Sequence, residues 1–259
     1  MVTDEQDLLI GRDERGVVTL TLNRPEVRNA FSEAMMRGLV EVFEDVADDA
    51  EVRAVVLTGN GKAFSAGADL KWMSSLLDGS FDDHVDDSRG FERMLRAVHD
   101  APMPVLAKVN GHALGGASGL LGCVDIAVAA TGARFGFTEV KLGLVPAMIS
   151  AYVQPRIGLA NARRYFLTGE IFDTHTAHRI GLVHEVCEPE QLDATFDAIL
   201  GEVLFAGPQA QREIKPLIAA IDASDGPAAT EQLRVELISR IRTSDEAQLR
   251  MRAFLDGKR

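Results

Sequence analysis

One glycine-rich segment says most about this chain: residues 59–71, which read GNGKAFSAGADLK. They follow the apolar run AVVL at 54–57, a pattern that is typical of a buried β-strand. Glycine allows backbone conformations that other residues avoid, and N–H groups at the end of a strand can point at a carbonyl oxygen. The segment therefore predicts a site where main-chain N–H groups hold an anionic ligand that carries a carbonyl group.

Two better-known glycine loops begin in the same way, and neither template fits this segment. A dinucleotide-binding loop would need a third glycine where Phe64 stands. A phosphate-binding loop would need a glycine at Val56 and a serine or threonine at Ala63. An ordinary surface turn stays open for a lone Gly-x-Gly, so the interpretation depends on a second segment.

The second segment reads VNGHALGGASGL at 109–120 and follows another apolar run, PVLA at 104–107. A helix that begins near Gly116 would leave its first N–H groups unpaired, with the positive end of the helix dipole beside them. Such a helix start favours an oxyanion, although a glycine pair before a helix is also common in tight packing. The two segments together predict paired backbone donors for a developing negative charge.

Four segments in order resemble the crotonase superfamily, also called the enoyl-CoA hydratase/isomerase family, and the resemblance extends over nearly the whole chain. The segments are LNRPEVRNAF at 22–31, AFSAGADLK at 63–71, NGHALGG at 110–116, and FGFTE with LGLVP between 135 and 146. Residues 64–73 and 147–153 are most similar to the branch that contains methylglutaconyl-CoA hydratases.

Apolar runs and helical periodicity predict an α/β fold. Runs typical of strands lie at 8–10, 17–22, 54–57, 105–107 and 126–129, and Ser32 is the expected N-cap of a following helix. Four helical patterns after Pro189 predict consecutive helices near 192–205, 208–221, 228–241 and 246–255.

The resemblance sharpens this fold class to a crotonase-like spiral of ββα units with a C-terminal helical region. It implies a spiral core with the acyl-CoA site at 1–190 and a helical oligomerisation region at 191–259. The polar run at 78–87 is interpreted as a mobile, solvated loop, and folding over a bound acyl chain is the alternative interpretation.

The resemblance also implies the chemistry. Adding water across the C2–C3 double bond of an acyl-CoA thioester builds negative charge on the thioester oxygen, which the backbone N–H groups of Ala68 and Gly116 would stabilise. Glu139 would transfer the proton, because a carboxylate near an apolar pocket has a raised pKa. The substrate-binding residues implied by the resemblance are Val27, Arg28, Ala66, Gly67, Ala68, Asp69, Leu70, Lys71 and Gly116.

Gly119 is a departure from the two-glutamate hydratases, in which a second catalytic glutamate follows the Gly-Gly element by three residues. Hydration by Glu139 is the main hypothesis, and an isomerase that shifts the double bond with one glutamate stays open, as does a non-catalytic CoA-binding module. A serine hydrolase built on Ser118 fails, because Leu120 replaces the last glycine of a nucleophile elbow. His112 is interpreted as a residue that holds the loop.

The charge of the chain limits which partners are expected. The 27 basic and 39 acidic residues give a net charge of −12, which argues against nucleic acid as the main partner. The acidic start at 1–7 and the absence of an apolar run of roughly 18 residues predict no signal peptide and no membrane partner, so a cytoplasmic protein is expected.

The two cysteines and six histidines give no metal or disulfide pattern, because Cys123 and Cys187 lack the spacing of either site. No metal or redox cofactor is implied, and CoA is part of the substrate, an acyl-CoA thioester. The family resemblance implies homotrimers that pair into hexamers.

Overall fold

The computed structural model describes residues 7–257. The expectation about a signal peptide therefore falls on residues that, apart from Asp7, lie outside the described range. The chain divides into two compact units, one that ends at Leu200 and one that begins at Gly201. Within residues 7–257, no helix is long and apolar enough to cross a membrane.

The described chain contains ten strands in two sheets. They are β1 (Leu8–Arg12), β2 (Val17–Leu22), β3 (Ala54–Gly59), β4 (Ala63–Ser65), β5 (Val105–Val109), β6 (His112–Leu114), β7 (Ile126–Ala130), β8 (Arg134–Gly136), β9 (Phe172–Asp173) and β10 (Glu185–Cys187). The larger sheet has the order β1-β2-β3-β5-β7-β10, and the smaller sheet has the order β4-β6-β8-β9. The β1–β2 and β8–β9 pairs are antiparallel, and the other neighbours are parallel.

The part of the chain that the structure describes also contains three short 3-10 helices and eleven α-helices. The α-helices are α1 (Glu33–Ala47), α2 (Leu70–Ser75), α3 (Phe81–His99), α4 (Gly116–Cys123), α5 (Ala147–Ile157), α6 (Leu159–Thr168), α7 (Thr174–Arg179), α8 (Leu192–Phe205), α9 (Pro208–Asp222), α10 (Glu231–Arg242) and α11 (Asp245–Leu255). The five predicted strands and the four predicted C-terminal helices are confirmed, with shifts of a few residues at their ends.

The chain passes repeatedly from the larger sheet to the smaller one, from β3 to β4, from β5 to β6 and from β7 to β8. Helices follow β4 and β6, so the strand, strand, helix repeat implied by the resemblance is present. The central strands are buried on both faces, as parallel strands are, and Val55, Leu57 and Val105 are fully buried. The predicted α/β class is confirmed, and this repeat places the ends of β4 and β6 side by side.

Helix α1 begins as the sequence predicts. The Ser32 side chain accepts a hydrogen bond from the Met35 N–H at 3.1 Å, which satisfies one of the free donors of the first turn. Met36, Leu39 and Phe43 lie on its buried face.

The prediction of a mobile loop at 78–87 is wrong, because α3 begins inside that run. The Ser80 side chain accepts from the Asp83 N–H, and the Asp83 carboxylate accepts from the Ser80 N–H at 2.8 Å, which is a capping box. Acidic residues in a first turn are also favoured by the helix dipole. Met94 and Leu95 bury the second half of the helix in the core.

Candidate active site

The first glycine segment leads from β4 into α2 and turns at Gly67. Its φ is +90°, and an added Cβ would lie 2.5 Å from the Leu114 carbonyl oxygen and 3.5 Å from the Gly116 nitrogen. Both the backbone conformation and the close approach require glycine. The two predicted glycine segments therefore touch at this point, backbone against backbone.

Ala68 follows the turn, and the end of the N-terminal segment fixes its backbone. The Phe31 N–H donates to the Gly67 oxygen at 2.7 Å, and the Asp69 N–H donates to the Phe31 oxygen at 3.1 Å. These two hydrogen bonds use the Gly67 carbonyl and the Asp69 N–H, the backbone groups on either side of Ala68. Within the described chain, the Ala68 N–H itself has no acceptor.

Gly116 is the first residue of α4, so its N–H is one of the donors that a helix start leaves unpaired. Gly115, with a φ of +54°, turns the chain into the helix, and its own N–H donates to the Gly136 oxygen at 2.8 Å. Across residues 7–257, the Gly116 N–H also has no acceptor. Ala68 and Gly116 thus present two free backbone donors beside one turn.

Buried polar side chains hold the first loop in place. The Asp69 carboxylate accepts from the Lys71 N–H at 2.7 Å and pairs with the Arg24 guanidinium at 2.7 Å. Burial raises the pKa of Asp69, but the Arg24 side chain and the backbone donors outweigh it and lower the pKa overall. Asn29, whose φ is +54°, donates to the Ala63 oxygen at 2.8 Å and ties the N-terminal segment to β4.

Glu139 begins a 3-10 helix, Glu139–Leu142, next to the second glycine segment. An added Cβ on Gly115 would lie 3.7 Å from Glu139 Oε1, so the carboxyl group is beside the residue that precedes Gly116. Glu139 Oε2 is buried and has no hydrogen-bond partner in the described part of the chain. Burial raises the pKa of Glu139, and a hydrogen bond from its own N–H offsets this only in part. Such a carboxyl group is suited to exchanging a proton.

A cavity of about 480 Å³ brings Ala68, Gly116 and Glu139 together in one lining. The rest of the lining is mostly apolar and comes from Phe31, residues 72–77, α3 and residues 144–149. An apolar cavity with a few convergent polar groups is the usual form of a small-molecule site.

Of the expected substrate-binding residues, Ala68 and Gly116 line the cavity, and the others lie outside its lining, where the first loop meets the N-terminal segment. The Ala66 N–H donates to the Arg28 oxygen at 2.9 Å and joins the two segments. The side chains of Arg28, Leu70 and Lys71 are exposed, and Val27 is 38% exposed. The structure therefore gathers the three catalytic candidates in the cavity and leaves the basic CoA candidates, Arg28 and Lys71, at the surface.

Gly119 leaves no room for a second glutamate. It is buried in α4, and an added Cβ would lie 2.5 Å from the Ile149 Cβ and closer still to its Cγ2. Ile149 belongs to α5, is 2% exposed and lines the cavity. An isoleucine thus fills the space that a second carboxylate would enter.

Ser118 and His112 both make structural hydrogen bonds. The Ser118 hydroxyl donates to the Ala113 oxygen at 2.6 Å and accepts from the Gly136 N–H at 3.2 Å, which joins α4 to β6 and β8. His112 Nδ1 accepts the Arg134 N–H at 3.0 Å, in agreement with a role in holding the loop. Among the described residues, no three His, Cys, Asp or Glu side chains gather as a metal site requires.

Asp87 is a cavity residue that the sequence does not predict, because the polar run at 78–87 is typical of a loop. Its Oδ1 accepts from Trp72 Nε1 at 2.8 Å, and both residues line the cavity. The sequence does contain a signal for it. Once Ser80 is recognised as a helix start, residues 84, 87, 88 and 91 fall on one helical face, and all four line the cavity.

Comparison with known proteins identifies relatives along nearly the whole chain. The family model described as Enoyl-CoA hydratase/isomerase matches residues 12–259. The chain is 32% identical over 213 residues to the crotonyl-CoA hydratase of Syntrophomonas wolfei, covering 80% of this chain and 79% of that protein. It is 28% identical over 264 residues to the trans-2-decenoyl acyl-carrier-protein isomerase of Streptococcus mutans, covering 99% of this chain and 97% of that protein.

A solved structure shows the same architecture. The crystal structure of an enoyl-CoA hydratase from Shewanella pealeana matches with a TM-score of 0.92 at 34% identity, over 100% of this chain and 98% of that chain. The crotonase fold that the four segments implied is therefore confirmed. Motifs, fold and relatives agree, and this protein is a member of the enoyl-CoA hydratase/isomerase family.

Proposed function

We propose that this protein is an enoyl-CoA hydratase-type lyase, which adds water to the C2–C3 double bond of an acyl-CoA thioester. One observation carries the proposal: half-buried Glu139, whose Oε2 is buried without a hydrogen-bond partner in the described chain, lines the same cavity as two free backbone donors. The crotonyl-CoA hydratase among its relatives supports this reaction class.

The thioester oxygen accepts hydrogen bonds from the Ala68 and Gly116 N–H groups. Ionised Glu139 takes one proton from a water molecule as the water oxygen bonds to C3. The electron pair of the double bond moves toward C2 and the carbonyl, which leaves an enolate with its charge on the thioester oxygen. Glu139 then gives the proton to C2, and the product contains the substrate plus one water.

In this scheme, the backbone donors stabilise the transition state electrostatically, and this contribution is larger than that of proton transfer by Glu139. Removing one such donor typically costs about 3–4 kcal/mol of transition-state stabilisation. General acid–base catalysis by a side chain contributes about 10²–10⁴-fold. Because Gly119 has replaced the other family glutamate, Glu139 performs both proton transfers in this scheme.

An isomerase is the second candidate, and the packing of Ile149 against Gly119 favours it specifically. Moving a double bond needs one base that removes a proton and returns it elsewhere, without a water molecule that a second carboxylate would orient. The isomerase among the relatives shows that the family also contains this reaction class. A CoA-binding module without catalysis is the remotest alternative, since it gives Glu139 no role.

The finer features of the substrate remain part of the proposal. Residues 64–73 and 147–153 suggest a branched or methylglutaconyl-type acyl group. The exposed cations Arg28 and Lys71, with Val27 and the backbone of residues 66–70, are the proposed contacts of the CoA moiety. The homotrimer or hexamer likewise rests on the family resemblance.

Product mass separates the reactions. The protein is incubated with crotonyl-CoA and with a 3-enoyl-CoA in ¹⁸O-labelled water, and the thioesters are followed by mass spectrometry. Hydration adds one labelled water, whereas isomerisation changes the position of the double bond without a gain in mass. We expect Glu139→Gln to lower kcat by at least about 10²-fold while acyl-CoA still binds.

Glu190→Gln, an exposed glutamate in the 3-10 helix Pro189–Gln191, is the control and should keep full activity. Normal hydration by Glu139→Gln would show that the proposed mechanism is wrong. Isomerised product without labelled water would replace the hydratase with the second candidate.

A further inference from the structure

The charges of the cavity wall bear on which acyl groups it accepts. Besides Glu139, the titratable side chains in the lining are Asp87 and His84, both on α3. No lysine or arginine belongs to the lining among the described residues. A carboxylate on the acyl chain would therefore enter a cavity with two carboxyl groups and no permanent cation.

Asp87 is held in one position. Its Oδ1 accepts from Trp72 Nε1 at 2.8 Å, which joins α3 to α2, and Trp72 packs against the hydrophobic core. Its Oδ2 has no hydrogen-bond partner within residues 7–257. Burial raises the pKa of Asp87, the Trp72 hydrogen bond opposes this, and the charge of Glu33 adds to the rise. The group is a half-buried acceptor with one oxygen available to a ligand.

We propose that Asp87, positioned by Trp72, determines acyl specificity: it excludes acyl groups that end in a carboxylate and accepts uncharged ones, including those with a hydroxyl group. The proposal rests on the proposed function, because it assumes that the acyl chain occupies this cavity. Two carboxylates in a desolvated site repel each other, whereas a hydroxyl group can donate to the available oxygen. Of the two acyl types suggested by residues 64–73 and 147–153, an uncharged branched group is then favoured over a methylglutaconyl-type group, which carries a free carboxylate.

His84 lies three residues before Asp87 on the same helix and is exposed. Its positive charge would offset the carboxylate, since it acts to lower the pKa of Asp87. All binding measurements are therefore made at one pH, so that the charge of the imidazole is the same for every thioester that is compared.

The test compares saturated thioesters of one length, which cannot react. Dissociation constants of hexanoyl-CoA, 6-hydroxyhexanoyl-CoA and adipoyl-CoA are measured by calorimetry at pH 8. We expect the wild type to bind adipoyl-CoA at least about 10-fold more weakly than hexanoyl-CoA, a difference of ~1.4 kcal/mol. Asp87→Asn, which keeps an oxygen acceptor for Trp72 and removes the charge, should reduce this ratio at least about 10-fold.

Asp86→Asn is the control, because Asp86 is the neighbouring exposed carboxylate, paired with Arg89 at 3.0 Å, and lies outside the lining. Its ratio should equal that of the wild type. A purely structural Asp87 would change the affinity of all three thioesters alike, and this result would overturn the proposal.

Equal binding of hexanoyl-CoA and adipoyl-CoA to the wild type would also overturn it, without the need for any variant. Because these ligands do not react, absence of turnover on enoyl-CoA would refute the proposed function and leave this result standing.

Discussion

Gly119→Ala should destabilise the protein strongly, although alanine is the better helix former. In an open helix, alanine is about 1 kcal/mol more favourable than glycine. At Gly119, however, the new Cβ would lie 2.5 Å from the Ile149 Cβ. Apolar carbons rest at about 3.5–4.0 Å, so α4 and α5 would have to move apart by ~1 Å. A Cβ is fixed to the backbone, so no change of rotamer relieves the overlap.

The expected loss follows from the packing of Ile149. Overpacking a close-packed core costs about 1–3 kcal/mol and occasionally more. Ile149 is 2% exposed, so it cannot turn toward solvent, and we expect a net loss near the upper end, about 3 kcal/mol. For a protein of this size, 1 kcal/mol corresponds to roughly 2–4 °C in Tm, which gives a decrease of about 6–12 °C.

Thermal and urea unfolding at one protein concentration measure this loss. Gly90→Ala in α3 is the matched control, because an added Cβ there meets no atom within 4 Å. It should raise Tm by a few degrees, about the helix-propensity gain. Combining Gly119→Ala with Ile149→Gly removes the overlap, and the double variant should be more stable than the sum of the two single changes predicts.

A Gly119→Ala protein with a Tm within about 2 °C of the wild type would refute the reasoning, since α4 and α5 would then not be in close contact. The same overlap applies to Gly119→Glu. A second carboxylate can therefore be tested for a gain in hydration only together with Ile149→Gly.

Four further predictions concern the site and its loops. Since burial raises the pKa of Glu139 and proton removal needs its ionised form, kcat/KM should fall as pH decreases through that raised pKa. The charged form is also the destabilised one, so Glu139→Gln should gain more Tm over the wild type at pH 8 than at pH 4. Gly67→Ala should lower both stability and activity, whereas Gly132→Ala, also at positive φ but in open space, should cost only ~1–2 kcal/mol of stability. Arg28→Glu and Lys71→Glu should weaken CoA binding several-fold at low salt and less at high salt. If titration gives these variants the same CoA affinity as the wild type, the two proposed charge contacts are wrong.

The larger sheet was predictable except for the three-residue strand β10, because its central strands are buried on both faces. Such strands read as continuous apolar runs, and the runs at 54–57 and 105–107 mark β3 and β5. The smaller sheet was not predictable from pattern. Its strands β4, β6, β8 and β9 have two or three residues each, which is too short for any periodicity.

The backbone donors of the candidate site were predictable from the sequence, whereas the side chains of the cavity wall were not. Gly67 and Gly115 occupy positive-φ positions that only glycine adopts easily, so the donors leave a direct mark on the sequence. The sequence signal for Asp87 is weaker, since the environment of this residue depends on the packing of α3 against α2. The close approach of Ile149 to Gly119 depends on α5, a separate segment of the chain, and no local sequence pattern indicates it.

Because the donors proposed to stabilise charge belong to the backbone, the proposed reaction and the proposed choice of acyl group depend on different parts of the chain. Any side chain other than proline at residue 68 keeps the N–H, whereas an acyl chain in the cavity would meet the side chains of its wall, mostly from residues 72–77, α3 and residues 144–149. Relatives at 28–32% identity accordingly include both a hydratase and an isomerase that act on different thioesters. The acyl group must therefore be inferred from the cavity wall, where Asp87 is the carboxyl group that the proposed proton transfer does not use.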